Sequence, residues 1–342
     1  MKRLFAVFVC FCCIAFLVFS PVFIAGGVHR DIYSIKDEKE AGKYRGFLTL
    51  WHVVSFKTSR DSGGSFLASR AESFERSNPF VYIDVVGMTE EEAKLRMANG
   101  EKPDLISYPS GFLADRADLV SLPDDERIED VFSKCGMFGS ARVSYPYYAD
   151  AYAAVLNDSL IEDSAMPLPF GTVMDMEHLG LYVSAFPGCP VVLSGTEPKA
   201  ALKSPLSEKS DEYIGDGIDF SLGGASFSSD LRLFTDGKTP YLICPYGDFT
   251  KLAENNPKLS LSAYAISRYT DLIQLIGAYD SGNDAKNAMC SAFCRLLLNA
   301  ASKKKLEKCG VLPAAGRLDG DGDAYYSMFA YIYENGIAAD TP

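Results

Sequence analysis

The stretch Phe47–Phe56, FLTLWHVVSF, and the run Phe66–Pro123, FLASRAESFERSNPFVYIDVVGMTEEEAKLRMANGEKPDLISYPSGFLADRADLVSLP, decide the fold class. Phe47–Val54 is apolar apart from Thr49 and His52 and reads as a buried strand. Asp61-Ser62-Gly63-Gly64-Ser65 is a turn, after which Phe66, Leu67, Ala71 and Phe74 recur at helical spacing as far as Arg76. The helix stops at Ser77-Asn78-Pro79, and β-branched Val81–Val86 follows as a strand. Thr89 with Glu92 three residues on is a capping box, opening a helix that closes at Asn99-Gly100. Asp104–Tyr108 is the next strand and Phe112–Leu119 a short helix. The order strand-helix, three times over, predicts parallel strands in one sheet, with ligands at their carboxyl ends.

The chain has 342 residues, enough for two domains, since single cores stop growing at roughly 250–300 residues. A formal charge of −12 argues against nucleic acid, whose phosphates need clustered Lys and Arg. The basic cluster Lys303-Lys304-Lys305 with Lys308 reads as the solvated end of a helix, where cations suit the dipole. Lys2-Arg3 precede an uncharged run, Leu4–Val28, broken at Ser20-Pro21. This segment is a secretory signal cleaved after Gly27 or an uncleaved anchor, and residues 28–46 are a linker. Both readings put everything after His29 outside the cytoplasm, secreted or held at the outer face of the membrane.

Beyond that segment lie Cys135, Cys189, Cys244, Cys290, Cys294 and Cys309. They form no C-x-x-C pair, and the chain has only three histidines, so a zinc site is not expected and no cofactor is implied. Asp319-Gly320-Asp321-Gly322-Asp323 has calcium-loop alternation, yet Ala324 and Ala330 stand where the glycine and glutamate belong. Gly215-Asp216-Gly217 is a turn. No G-x-S-x-G elbow is present, and nothing pairs two carboxylates at a usable spacing, so no enzymatic chemistry is expected.

Further on, Ser144–Tyr152 is aromatic and extended, Thr239–Cys244 and Leu259–Ile266 are strand-like, and Asp284–Ala301 is a strong helix. Residues 167–224 are rich in Gly, Pro and Ser and carry little periodicity.

Six separated segments together resemble the extracellular solute-binding proteins of ABC importers, of the sugar-binding type. They are LTLWH (48–52), SFERSNPFVYIDVV (73–86), KLRMANGEKPDLI (94–106), PYYADAYAAVLND (146–158), LFTDGKTPYLICPYGDF (233–249) and NAMCSAFCRLLLNAASKKKLEKCGVLPAA (287–315). The resemblance implies two α/β lobes with a hinge, the first from 47–145 plus 265–312 and the second from 146–264 plus 313–342. It implies a small-molecule solute, a carbohydrate, clamped between the lobes and delivered by a monomer to ABC permease subunits. A second lobe shortened within 165–230 departs from the family and leaves open a membrane-anchored sensor or scaffold without transport.

A sugar presents hydroxyls around faintly apolar faces, so its site wants carboxylates, amides and aromatic rings. Trp51, the only tryptophan, sits at a strand's carboxyl end as pocket ring or core residue, and His52 beside it is a solute contact or a structural histidine. Tyr108, at the end of the third strand, stands where the resemblance places a pocket residue. The resemblance puts an acidic contact at Asp150, flanked by Tyr147 and Tyr148, and pocket aromatics at Tyr246 and Phe249. Tyr325-Tyr326 read as a packed helix face.

Overall fold

The computed structural model describes residues 44–54, 56, 63–160, 232, 234–237, 241–265, 269–317, 332–334 and 336–340. Expectations for the leader, for residues 165–230 and for Gly215–Gly217, Asp319–Asp323, Tyr325-Tyr326 and Cys189 lie outside them. Among the described residues no helix is long and apolar enough to cross a membrane.

Strand β1 (Gly46–Val54) is the apolar run of the opening stretch, and it lies between two parallel neighbours, β2 (Val81–Thr89) and β3 (Leu105–Pro109). Helix α1 (Gly64–Ser77) connects β1 to β2 and buries Phe66, Leu67, Ala71 and Phe74. Helix α2 (Glu90–Ala98) connects β2 to β3, and Thr89 Oγ1 accepts from Glu92 N–H at 3.2 Å as the capping box requires. Gly100, at φ 85°, makes the left-handed exit after α2 that residues with a Cβ avoid.

Residues 112–119 depart from expectation: they run irregularly through bends and one turn to a bridge at Leu119 rather than as a helix. Asp115 Oδ1 accepts from Ala117 N–H at 2.9 Å, a local bond that competes with helical pairing. Arg116 is turned inward, where its guanidinium donates to Leu113 O and Met137 O.

A short hairpin, β4 (Met137–Phe138) and β5 (Ala141–Arg142), precedes β6 (Ser144–Ala149) and β7 (Tyr152–Asn157). Beyond residue 240 come β8 (Tyr241–Pro245), α3 (Tyr246–Asn255), β9 (Leu261–Ala265), β10 (Tyr269–Thr270) and β11 (Ile273–Ala278). Helices α4 (Asp284–Leu296) and α5 (Ala300–Lys308), then β12 (Leu312–Pro313) and β13 (Ile337–Ala338), complete the described elements. The expected single helix Asp284–Ala301 is thus two: the chain turns at 297–299, and Asn299 caps α5 by accepting from Ser302 N–H at 2.8 Å.

Two sheets result. Six strands run in the order β12-β6-β11-β3-β1-β2, parallel in the β2-β1-β3 half and antiparallel beyond it. Three antiparallel strands, β8-β7-β9, form the second sheet. The chain crosses between the sheets at Asp150-Ala151 and returns after β9 toward β11. The first sheet reaches past the expected limit at 145, because Ala149 still pairs with Ile273 and Leu312. Residues 337–340, expected with the second lobe, instead bond to elements of the first: Asp340 Oδ1 accepts from Arg116 at 2.6 Å. Cys135, Cys290 and Cys294 are buried free thiols, and the last two share α4.

Candidate functional site

The carboxyl ends of β1 and β3 meet the first crossing and the amino end of α1, and polar side chains gather there. His52 and Ser107 occupy paired positions on β1 and β3, so both project to one face. His52 Nδ1 and Ser107 Oγ are 2.9 Å apart, Ser107 Oγ and Tyr147 OH share a hydrogen bond at 2.8 Å, and Gln274 Nε2 donates to Ser107 Oγ at 3.0 Å. Gln274 also donates to Val53 O at 2.9 Å, tying β11 to the end of β1. Two proton arrangements satisfy Ser107. Either His52 donates to it and it donates to Tyr147, or Tyr147 donates to it and it donates to His52. The first leaves His52 Nε2 an acceptor and the second makes it a donor, so one framework can meet either partner.

A bulge brings a second tyrosine into this group. Gln274 pairs with Tyr148 and Leu275 with Pro146, which leaves Tyr147 as the extra residue of β6. Bulges re-aim side chains. Tyr147 and Tyr148 meet edge to face at 4.8 Å, Phe66 of α1 stacks on Tyr147 at 5.9 Å, and Phe56 lies edge-on to Tyr148 at 5.6 Å. Gly63, the N-cap of α1, is left-handed at φ 89°. A Cβ there would sit 2.8 Å from Tyr148 Oη and 3.2 Å from His52 Nε2, so glycine is what lets α1 begin against these two groups.

Asp150 occupies the crossing itself and is fully buried. Its carboxylate accepts from Ala151 N–H at 2.8 Å and from Gly247 N–H, in the first turn of α3, at 3.0 Å. Pro245, the N-cap of α3, supplies no side-chain bond, so Asp150 caps that helix from the crossing. Its own carbonyl accepts from Thr270 Oγ1 at 2.6 Å, joining the outward and return crossings. Burial pushes the Asp150 carboxyl up to about 8, against the pull of the two N–H bonds; the charge of Asp248 raises it further. Tyr246 and Phe249 lie in the same first turn of α3, their rings 5.4 Å apart.

The remaining two candidates stand apart from this group. Trp51 projects from the opposite face of β1 to His52, with the Arg96 guanidinium of α2 5.7 Å from its ring. Tyr108 is buried, shares a 2.6 Å hydrogen bond with Ser144, and carries Arg116 5.6 Å from its ring centroid. Burial raises its hydroxyl pKa well above the usual range.

Sequence reading passed over Ser107, Gln274 and Gly63. An amide inside the otherwise apolar strand Ile273–Ala278 is the signal that could have found Gln274, because a buried amide needs a partner. Although His52 touches a serine hydroxyl, Ser107 has no exposure and is enclosed by Gln274 and Tyr147, so it is not placed to attack a substrate.

No protein-family model and no curated protein sequence matches the chain. Solved structures do. The GacH receptor of Streptomyces glaucescens, solved unliganded and with acarbose, aligns at TM-score 0.61 and 15% identity over 87% of this chain and 88% of that one. The cyclic α-maltosyl-1,6-maltose binding protein of Arthrobacter globiformis aligns at 0.60 and 13% over 87% and 89%. CpMnBP1, solved with mannotriose bound, aligns at 0.59 and 14% over 87% and 90%. The chain has the two-lobed α/β fold of periplasmic binding proteins.

Proposed function

We propose that the protein is an extracytoplasmic solute-binding protein that holds a carbohydrate or similar polar solute between its lobes and hands it to an ABC permease. The observation that carries this reading is the alignment of nearly nine-tenths of the chain with proteins solved with, or named for, oligosaccharide ligands. The crossing chemistry supports it. His52, Tyr147 and Tyr148, all buried, back the first-lobe wall, buried Asp150, Tyr246 and Phe249 back the hinge side, and Trp51 and Tyr108 stand apart from both. The work of such a site is binding rather than catalysis, with hinge closure as the conformational step.

The test is thermal denaturation of the full chain across maltose- and mannose-type oligosaccharides and acarbose, followed by calorimetric titration. A ligand that binds only the folded state at 100 times its Kd adds about 2.7 kcal/mol, which raises the melting midpoint by several degrees. Unchanged midpoints across the whole panel would sink the carbohydrate assignment. A second reading, an anchored sensor that keeps the fold without transport, rests on the uncharged run Leu4–Val28. Mass spectrometry of the mature amino terminus decides it, since loss of Met1–Gly27 excludes anchoring by that run.

A further inference from the structure

Three arginines are buried among the described residues, Arg70, Arg116 and Arg142. Two have anionic partners: Arg116 donates to Asp340 at 2.6 and 2.7 Å, and Arg142 to Asp124 at 3.0 Å and to the carbonyls of Cys135 and Ser133. Arg70 is the exception. It lies on the inward face of α1 with Leu67, Ala71 and Phe74, is 5% exposed, and its Nε has neither water access nor a hydrogen-bond partner. The charges that act on it, Arg76 and Lys305, are both cations.

Lys305 comes from α5, and its Nζ donates to Ser69 Oγ, the residue before Arg70. Burial, Arg70 and Arg76 all lower its proton affinity, against the opposing pull of Glu72 and Cys309. Arg70 and Lys305 thus meet at a junction of two helices where Arg70 has no carboxylate partner among the described residues. A buried guanidinium without a counter-charge costs far more than a paired one, and the other two buried arginines among the described residues are paired. A planar guanidinium, an ammonium and a hydroxyl held on facing helices suit an anion with several oxygens better than a two-oxygen carboxylate.

We propose that Arg70, Lys305 and Ser69 form an oxyanion site between α1 and α5 that takes a tetrahedral dianion of the phosphate class from the medium. The site is independent of the interlobe solute. The full chain, purified in phosphate-free buffer, is titrated with inorganic phosphate against chloride and acetate at matched ionic strength. The melting midpoint is read by circular dichroism, and 31P line broadening reports binding directly. Expected are a saturable rise in midpoint with phosphate alone and broadening that Arg70→Met abolishes. In phosphate-free buffer Arg70→Met melts no lower than the parent, since it removes an uncompensated buried charge. Lys305→Met weakens apparent phosphate affinity about tenfold or more, the loss of one charge-assisted bond. Indifference of the parent to phosphate would overturn the proposal. So would an equal response to acetate, or a phosphate response that survives Arg70→Met.

Discussion

Asp150 and Asp125 are both buried carboxyls, and their surroundings push them in opposite directions. Asp125 accepts from Arg127 Nε at 2.7 Å and from Arg295 Nε at 3.0 Å, and these cations, Arg127 foremost, hold it down at about 2. Asp150 has no cation among its influences, and desolvation lifts it to about 8. Linkage gives each its own window. The unfolded chain binds the Asp125 proton first as pH falls, so its contribution is present above about 4 and lost toward 2. Asp150 keeps its proton in the folded state where the unfolded chain has released it, so its stabilisation is present below about 4 and declines as pH rises toward 8. Urea unfolding from pH 4 to 8 should show this decline, and Asp150→Asn, which cannot ionise, should flatten it. A parent and variant with parallel pH profiles would remove Asp150 as the cause. The sequence made Asp150 visible as a lone acid among aromatics at the crossing. Its orientation toward the amide of Gly247, 97 positions away, depends on how two sheets meet and leaves no local signal.

At the scale of elements, helices were readable where a cap announced them. Thr89 and Glu92 mark the start of α2 in the sequence, and the structure forms that bond. Asn299 announced nothing, because it falls inside an unbroken apolar periodicity from α4 into α5. The break is a tertiary outcome: Ser302, fully buried, donates its hydroxyl to Leu296 O at 2.9 Å, and Asn299 takes the amide of Ser302. Asn299→Ala should cost about 1 kcal/mol, the usual value of an N-cap. A drop in the urea midpoint at constant m-value would record it, and an unchanged midpoint would mean that packing of Leu297, Leu298 and Leu306 alone sets the turn. The bulge at Tyr147 was equally silent in sequence, since an extra residue shows only against the register of its partner strand. The opening stretch fared better. Its apolar and β-branched strands and 3.6-period helix sit in one lobe and owe little to distant contacts, whereas the irregular path at 112–119 goes with an inward-turned Arg116.

Across the whole molecule, residues 337–340 tie the hinge to the first sheet. β13 pairs parallel with β10, Ala339 N–H donates to Thr270 O at 2.9 Å, and Thr270 Oγ1 in turn holds the Asp150 carbonyl. Asp340 then enters a carboxylate-binding recess, where Arg116 grips it with two bonds, Gly136 N–H donates at 2.7 Å and Ser110 Oγ at 3.2 Å. Gly136 permits this at φ 78°, where a Cβ would fall 2.1 Å from Ser144 O. The side chains of Arg116 and Asp340 are essentially shut off from solvent, at 0% and 2% exposure, so the pair cannot be broken cheaply. Asp340→Ala strands a buried guanidinium and should lose about 3–5 kcal/mol of unfolding free energy. Arg116→Met with Asp340→Ala should recover much of that, because removing both charges also removes the desolvation cost. The double-mutant cycle separates a charge effect from loss of packing by the 337–340 segment. A double variant no more stable than Asp340→Ala alone would assign the loss to packing, and the segment would then be a strand addition to the hinge rather than an ionic latch upon it.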